Sequence, residues 1–203
     1  LFPDTRSIEF KTNHPMKNLI CVLLLAVASF GLHAQGLPLD EQNKVSFYEV
    51  VKTDSIKAGL LYTNAKNWLL SRGYTLTEAD SLNGRLLASH NFPVYDKGYV
   101  TKKIHGKISY RLLVEVKDHK YRYQFNDFVF AYYKEDRYSH SVPTGQTKAL
   151  EEKTASGWQK LWEKHRSDTQ AKVENLVSEL KTAILIIPKT SGEMAKQTKK
   201  EDW

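Results

Sequence analysis

Residues 106–133, GKISYRLLVEVKDHKYRYQFNDFVFAYY, decide how this chain folds. Ile108, Tyr110, Leu112, Val114 and Val116 alternate with Ser109, Arg111, Leu113 and Glu115. Further on, Tyr121, Tyr123 and Phe125 alternate with Arg122, Gln124 and Asn126. A period of two places one set of side chains on a core face and the other toward water. If Asp118 and His119 form the loop of a hairpin, Val116 stands opposite Tyr121, Val114 opposite Tyr123 and Leu112 opposite Phe125. All the apolar partners then share one face, so pattern and turn specify a single register. An isolated hairpin is marginal in water and needs further strands or a helix on its apolar side.

The rest of the chain supplies them. Residues 1–15 have no periodicity and are read as an upstream extension outside the native protein. Residues 16–34 have the pattern of a secretory signal peptide: Met16, Lys17, an apolar run from Leu19 to Phe30, and Ala34 at the expected cleavage point. The run is shorter than the ~20 apolar residues a membrane span needs. Export to the periplasm or beyond is therefore expected, with residues 35–187 forming one domain. Cys21, inside that signal, is the one cysteine, so the exported part has no disulfide, cysteine nucleophile or thiolate metal site. The net charge is +7, and only a single unit of it falls within residues 1–34. This favours anionic partners weakly and does not bear on the fold.

Lys44 to Val51 reads as a strand with apolar groups on both faces, as expected near the middle of a sheet. Thr53, Asp54 and Ser55 offer N-cap oxygens for a helix carrying Leu60, Leu61, Ala65, Trp68 and Leu69, ended by Gly73. Tyr74 to Asp80 and Arg85 to Phe92 read as strands joined through Asn83-Gly84, with Pro93 ending the second. Residues 134–155, with Pro143 and Gly145, read as a flexible loop inside the domain. Ser156 and Gln159 match a capping box. Beyond them, Trp158, Trp162, His165, Thr169, Val173, Leu180 and Ile184 form one helical stripe, stopped by Pro188. Residues 188–203 read as a disordered charged tail. The expected fold is α+β: a curved antiparallel sheet of about five strands in β-α-β-β-β-β-α order, with two helices on one face.

These residues carry a likeness. Leu37-Pro38-Leu39-Asp40 precedes a strand with Glu49-Val50-Val51; Leu61-Tyr62, Ala65-Lys66 and Trp68-Leu69 come next; then Glu115-Val116-Lys117-Asp118, Lys120-Tyr121-Arg122-Tyr123, Asp127-Phe128 and Trp162. In order and spacing, over roughly Leu37 to Ile186, the chain resembles the exported bacterial family known as domain of unknown function 4468, with a TBP-like fold. The resemblance implies a curved antiparallel sheet backed by two helices, and export. It transfers no activity and no functional residue. His119 stands where a glycine is expected after Asp118.

Chemistry is sparse. His90, His105, His119, His140 and His165 show no metal-site spacing; His90 and His105 are within reach across strands but are read as scattered surface histidines, and His165 falls on the apolar stripe as a packed residue. Glu78 and Asp80 share a strand face, as paired carboxylates for hydrolysis do, but charges guarding an edge strand are the commoner case. No nucleophile elbow, phosphate loop, dinucleotide fingerprint or zinc-protease helix occurs, so no catalytic residue, metal or cofactor is assigned. Strict alternation from Phe125 exposes Phe128, Phe130 and Tyr132. Either they form a patch for a partner, or a bulge near Asn126-Asp127 returns them to the core, which is the usual fate of such residues. The expected function is a non-catalytic module binding an envelope polypeptide or component through the wet sheet face, with Arg111, Leu113, Arg122 and Gln124. The alternative is a lipid or metabolite carrier with a pocket between sheet and last helix, lined by Tyr110, Tyr123, Trp158 and Trp162. Export argues against nucleic acid as a partner.

Overall fold

The protein is described by a computed structural model covering residues 36–96 and 102–187. The expected extension 1–15, signal peptide 16–34, tail 188–203 and Lys97 lie outside the described residues. The elements are β1 (Phe47–Lys52), α1 (Ala58–Ser71), β2 (Thr75–Asp80), β3 (Arg85–Tyr95), β4 (Ile104–Lys117), β5 (Lys120–Glu135), β6 (Ser141–Ala149) and α2 (Gln159–Ile184). The antiparallel sheet runs β1-β5-β4-β3-β2, with β6 also paired to β5.

β4 and β5 pair in the register the alternation requires: Val116 with Tyr121, Val114 with Tyr123, Leu112 with Phe125. His119 takes up the left-handed conformation, φ 64°, that the tight turn demands. The bulge is also present. Ser109 pairs with Val129 and Arg111 with Asn126, so Asp127 and Phe128 together oppose Tyr110. Asp127 sits at φ 55°. The extra residue reverses the facing of the rest of the strand, so Phe128 and Phe130 are buried and Tyr132 packs partly against the core.

The hairpin tip also starts α1. His119 N–H donates to Ile56 C=O (3.0 Å), and Thr53 N–H to His119 C=O (2.8 Å). The Asp118 carboxylate accepts from Ala58 N–H (2.8 Å), a free donor of the first helical turn. The cap expected from Thr53, Asp54 or Ser55 is thus replaced by a side chain 60 residues away. The far end agrees with the sequence. Gly73, at φ 74°, donates to Leu70 C=O (3.1 Å) and Tyr74 N–H to Leu69 C=O (3.0 Å), a Schellman closure.

Four expectations need correction. β1 is an edge strand, not a central one. Pro93 does not stop β3, because β2 pairs only as far as Ser89; beyond it β3 has an open edge where a missing N–H costs no ladder bond. Residues 134–155 contain β6, making six strands. Its turn is held by Asp136, whose carboxylate accepts from Tyr138 N–H (2.8 Å) and His140 N–H (2.9 Å). Finally, α2 begins at Gln159 without a Ser156 cap; only the Gln159 half of the expected box exists, its side chain accepting from Ala155 N–H (2.7 Å).

Both helices lie on one sheet face. Leu61, Ala65, Trp68 and Leu69 of α1 and Trp162, Val173, Leu176, Leu180 and Ile184 of α2 bury against Leu86, Ile108, Leu112, Val114, Phe125 and Phe130. Arg72 and Glu179 tie the helices together (2.9 Å).

Candidate interaction face of the sheet

The alternation that buries one side chain exposes the next, and among the described residues no helix covers the second face. Register fixes its rows. Tyr48 lies beside Gln124, then Leu113, then Leu87. Val50 lies beside Arg122, then Glu115, then Arg85. Lys52 lies beside Lys120, then Lys117. The four residues expected for binding, Arg111, Leu113, Arg122 and Gln124, therefore do share the open face.

Its arginines are already held. Arg122 Nε donates to Glu115 across the hairpin, and this contact keeps the guanidinium still more firmly protonated. Arg111 pairs with Asp127, the bulge residue. Gln124 Nε2 donates to Ser46 Oγ (3.1 Å). Glu78 and Asp80 also face this side, but Glu78 meets Arg85 (3.3 Å) while Asp80 organises the β2–β3 turn, accepting from Leu82 and Asn83 N–H (2.9 and 3.1 Å). That engagement draws the Asp80 carboxyl below the usual carboxylate range, chiefly through the Asn83 side chain. Neither carboxylate is placed as a free acid or base.

Sequence reasoning misses Tyr48 and Val50. With β1 at the edge, they are 56% and 49% exposed, large apolar surface at the border of a charged face. Between them and the hairpin end lies a hollow of about 280 Å3, bounded by Tyr48, Val50, Lys117, Lys120, Tyr121 and Arg122.

Of the residues expected to line a carrier pocket, Tyr110, Tyr123 and Trp162 are buried in the core and Trp158 packs partly buried against it. Tyr110 is buried and shares a hydrogen bond with Tyr74 (2.8 Å), and burial pushes its phenol up to about 12. Tyr123 donates to Glu49 (2.6 Å), which also binds Lys181 (2.7 Å). Trp162 is fully buried, its Nε1–H on Glu152 C=O (2.7 Å). Trp158 packs on Trp162 (5.4 Å between centroids), whereas Tyr110 stacks on Phe128. Tyr123 and Trp158 border two separate hollows.

Residues 47–131 match the model for "Domain of unknown function (DUF4468) with TBP-like fold". Over that stretch the chain is similar to the DUF4468 family. Two solved structures are similar to it. A TBP-like protein from Parabacteroides distasonis has 14% identity and a TM-score of 0.57, over 74% of this chain and 98% of that one. A DUF4468 family protein from Bacteroides ovatus has 11% identity and a TM-score of 0.52, over 76% and 93%. At such identities the likeness is one of fold alone. Among curated proteins, none matches. The DUF4468 match spans β1 through most of β5 and so includes Tyr48, Val50 and the four expected binding residues, while β6 and α2 lie beyond it.

One further cluster bridges the matched segment and α2. His105 meets not His90 but His165, Nδ1 to Nε2 at 2.9 Å, inside a box of Phe130, Tyr132 and Trp158. His165 is fully buried, its Nδ1 has no partner among the described residues, and burial lowers its pKa to about 4. Burial also lowers that of His105. No three potential metal ligands gather among the described residues.

Proposed function

We propose that this domain is an exported, non-catalytic binding module that takes a polypeptide of the cell envelope on the open face of its sheet. The observation that supports it is the pairing of Tyr48 and Val50, half exposed and side by side, with Arg122 and Gln124 in the same rows. Apolar contacts supply area, and arginines pre-oriented by Glu115 and Asp127 lose little freedom on binding. The pattern of residues 16–34 supports export. No helix among the described residues is long and apolar enough to cross a membrane.

The test is affinity capture from envelope extract of the host, comparing the unaltered chain with Tyr48→Ala/Arg122→Ala and with a control altered on the helix side, Lys172→Ala. A protein retained by the unaltered chain and the control, but lost from the double variant, is the expected result. Identical captured sets from all three would remove this face from consideration. For export, processing after Ala34 in the host, read by mass spectrometry of the N-terminus, is expected; an uncleaved cytoplasmic chain would refute it.

A further inference from the structure

Backbone groups along β1 alternate between its two sides. At its start, Ser46 N–H donates away from β5, to Pro38 C=O (3.0 Å). Past its end, Thr53 N–H donates toward the hairpin, to His119 C=O (2.8 Å). Even-numbered residues therefore point outward, and the N–H and C=O groups of Tyr48, Val50 and Lys52 face away from β5. Among the described residues, nothing pairs with them. An unpaired edge with two exposed apolar side chains is a template for another strand.

Charge says which strand fits. Lys52, Lys120 and Lys117 stand in one row across three strands on the open face, and none has an ion pair among the described residues. Like charges directly opposite one another are unfavourable. A strand added outside β1 extends this row by one residue beside Lys52, and a carboxylate there is the charge the row lacks. The terminal lysine also disfavours an apolar strand. The chain's own residues 188–203 set Lys189, Lys196, Lys199 and Lys200 against Glu193, Glu201 and Asp202, so that segment is not the acidic strand such a row calls for.

We infer that the partner is an acidic, extended polypeptide segment that adds as a strand along the outer edge of β1, an inference that presupposes the open-face function proposed above. Its backbone pairs with Tyr48, Val50 and Lys52. Alternate side chains lie over Tyr48 and Val50, and a glutamate or aspartate meets Lys52.

The probe is a fluorescent peptide of about eight residues, a usual strand length, whose one face presents valine, valine and glutamate in succession with threonines on the other face; the control replaces glutamate by lysine. Fluorescence anisotropy is expected to show binding of the acidic peptide alone, weakening with added salt. Val50→Pro removes one outward N–H without touching the ladder to β5, and Lys52→Glu reverses the row's edge charge. Each should weaken binding roughly tenfold. Amide exchange at Tyr48 and Lys52 should slow on peptide addition. Equal binding of the lysine peptide, or of a single-stranded oligonucleotide irrespective of Val50→Pro, overturns the inference in favour of a general charged surface. A dimer in sedimentation that Val50→Pro dissolves, with no peptide binding, overturns it in favour of a second copy. If the envelope partner is lost from the Tyr48→Ala/Arg122→Ala variant yet kept by Val50→Pro and Lys52→Glu, the open face stands and strand addition fails.

Discussion

Acidifying the protein from about pH 7 to about pH 4.5 should remove about 2 kcal/mol of stability through His165 alone, from a pKa gap of roughly 2.5 units at 1.36 kcal/mol per unit. His165 is fully buried at the centre of an aromatic box and held neutral, with a folded pKa of about 4. Burial is the main cause; His105 and Lys164 lower it further, while Asp168 and Asp96 oppose them. In the unfolded chain the same imidazole titrates near 6.5, as an unperturbed histidine does. Between these values the unfolded state binds a proton that the folded state refuses. Stability is therefore fully present above about 6.5 and is lost as pH falls toward about 4. His105, also lowered, adds in the same direction. Carboxylates with lowered pKa values, such as Glu49 and Glu152, weaken the fold mainly below this window. The assay is urea unfolding monitored by tryptophan fluorescence at several pH values, for the unaltered chain and for His165→Leu. The variant is expected to be less stable at neutral pH, since His105 loses its partner, but to show a flatter pH dependence. Parallel curves for the two proteins, or a His165 titration near 6.5 by NMR, would refute the assignment.

Packing supplies the other expectations. Gly84→Ala should cost at least about 1 kcal/mol, because φ is 64° and a Cβ would lie 2.6 Å from Val116 O; denaturant midpoints measure it. Gly106→Ala would drive a Cβ to 2.3 Å from the Phe130 ring and displace the bulged strand, visible in the near-ultraviolet dichroism. Trp162→Ala should cost about 3–5 kcal/mol as a fully buried aromatic lost from the core. Arg122→Ala, on the open face, should change stability by less than about 1 kcal/mol while affecting partner capture, the pattern of an exposed ion pair. Asp118→Ala should speed amide exchange at Ala58, whose N–H loses its acceptor.

The central hairpin is readable because strict alternation and a two-residue turn each specify the same pairing, and the bulge because the alternative exposes Phe128 and Phe130. β6 is not. Its sequence, SVPTGQTKA, has loop composition, and it is a strand because β5 offers it a free edge at Ala131 and Tyr133. β1 is legible as a strand, but its place is not. Apolar residues on both faces describe a central strand and equally an edge strand with a surface for something else, and only the topology separates the two. That ambiguity hides Tyr48 and Val50. The His105–His165 contact joins residues 60 apart with no spacing signature; the sole clue is a histidine on an apolar helical stripe. Parity alone places Arg111, Leu113, Arg122 and Gln124 on one face, but their engagement with Asp127, Glu115 and Ser46 needs coordinates.

The acceptor for the start of α1 comes from Asp118, which leaves the ribosome long after the helix does. Until the hairpin tip arrives, the nascent helix has an unsatisfied first turn and a frayed beginning. Its last turn, closed locally by Gly73, is ready from the outset. The chain is therefore expected to order this helix backwards, from its C-terminal end, and to lock it only once β4 and β5 have met.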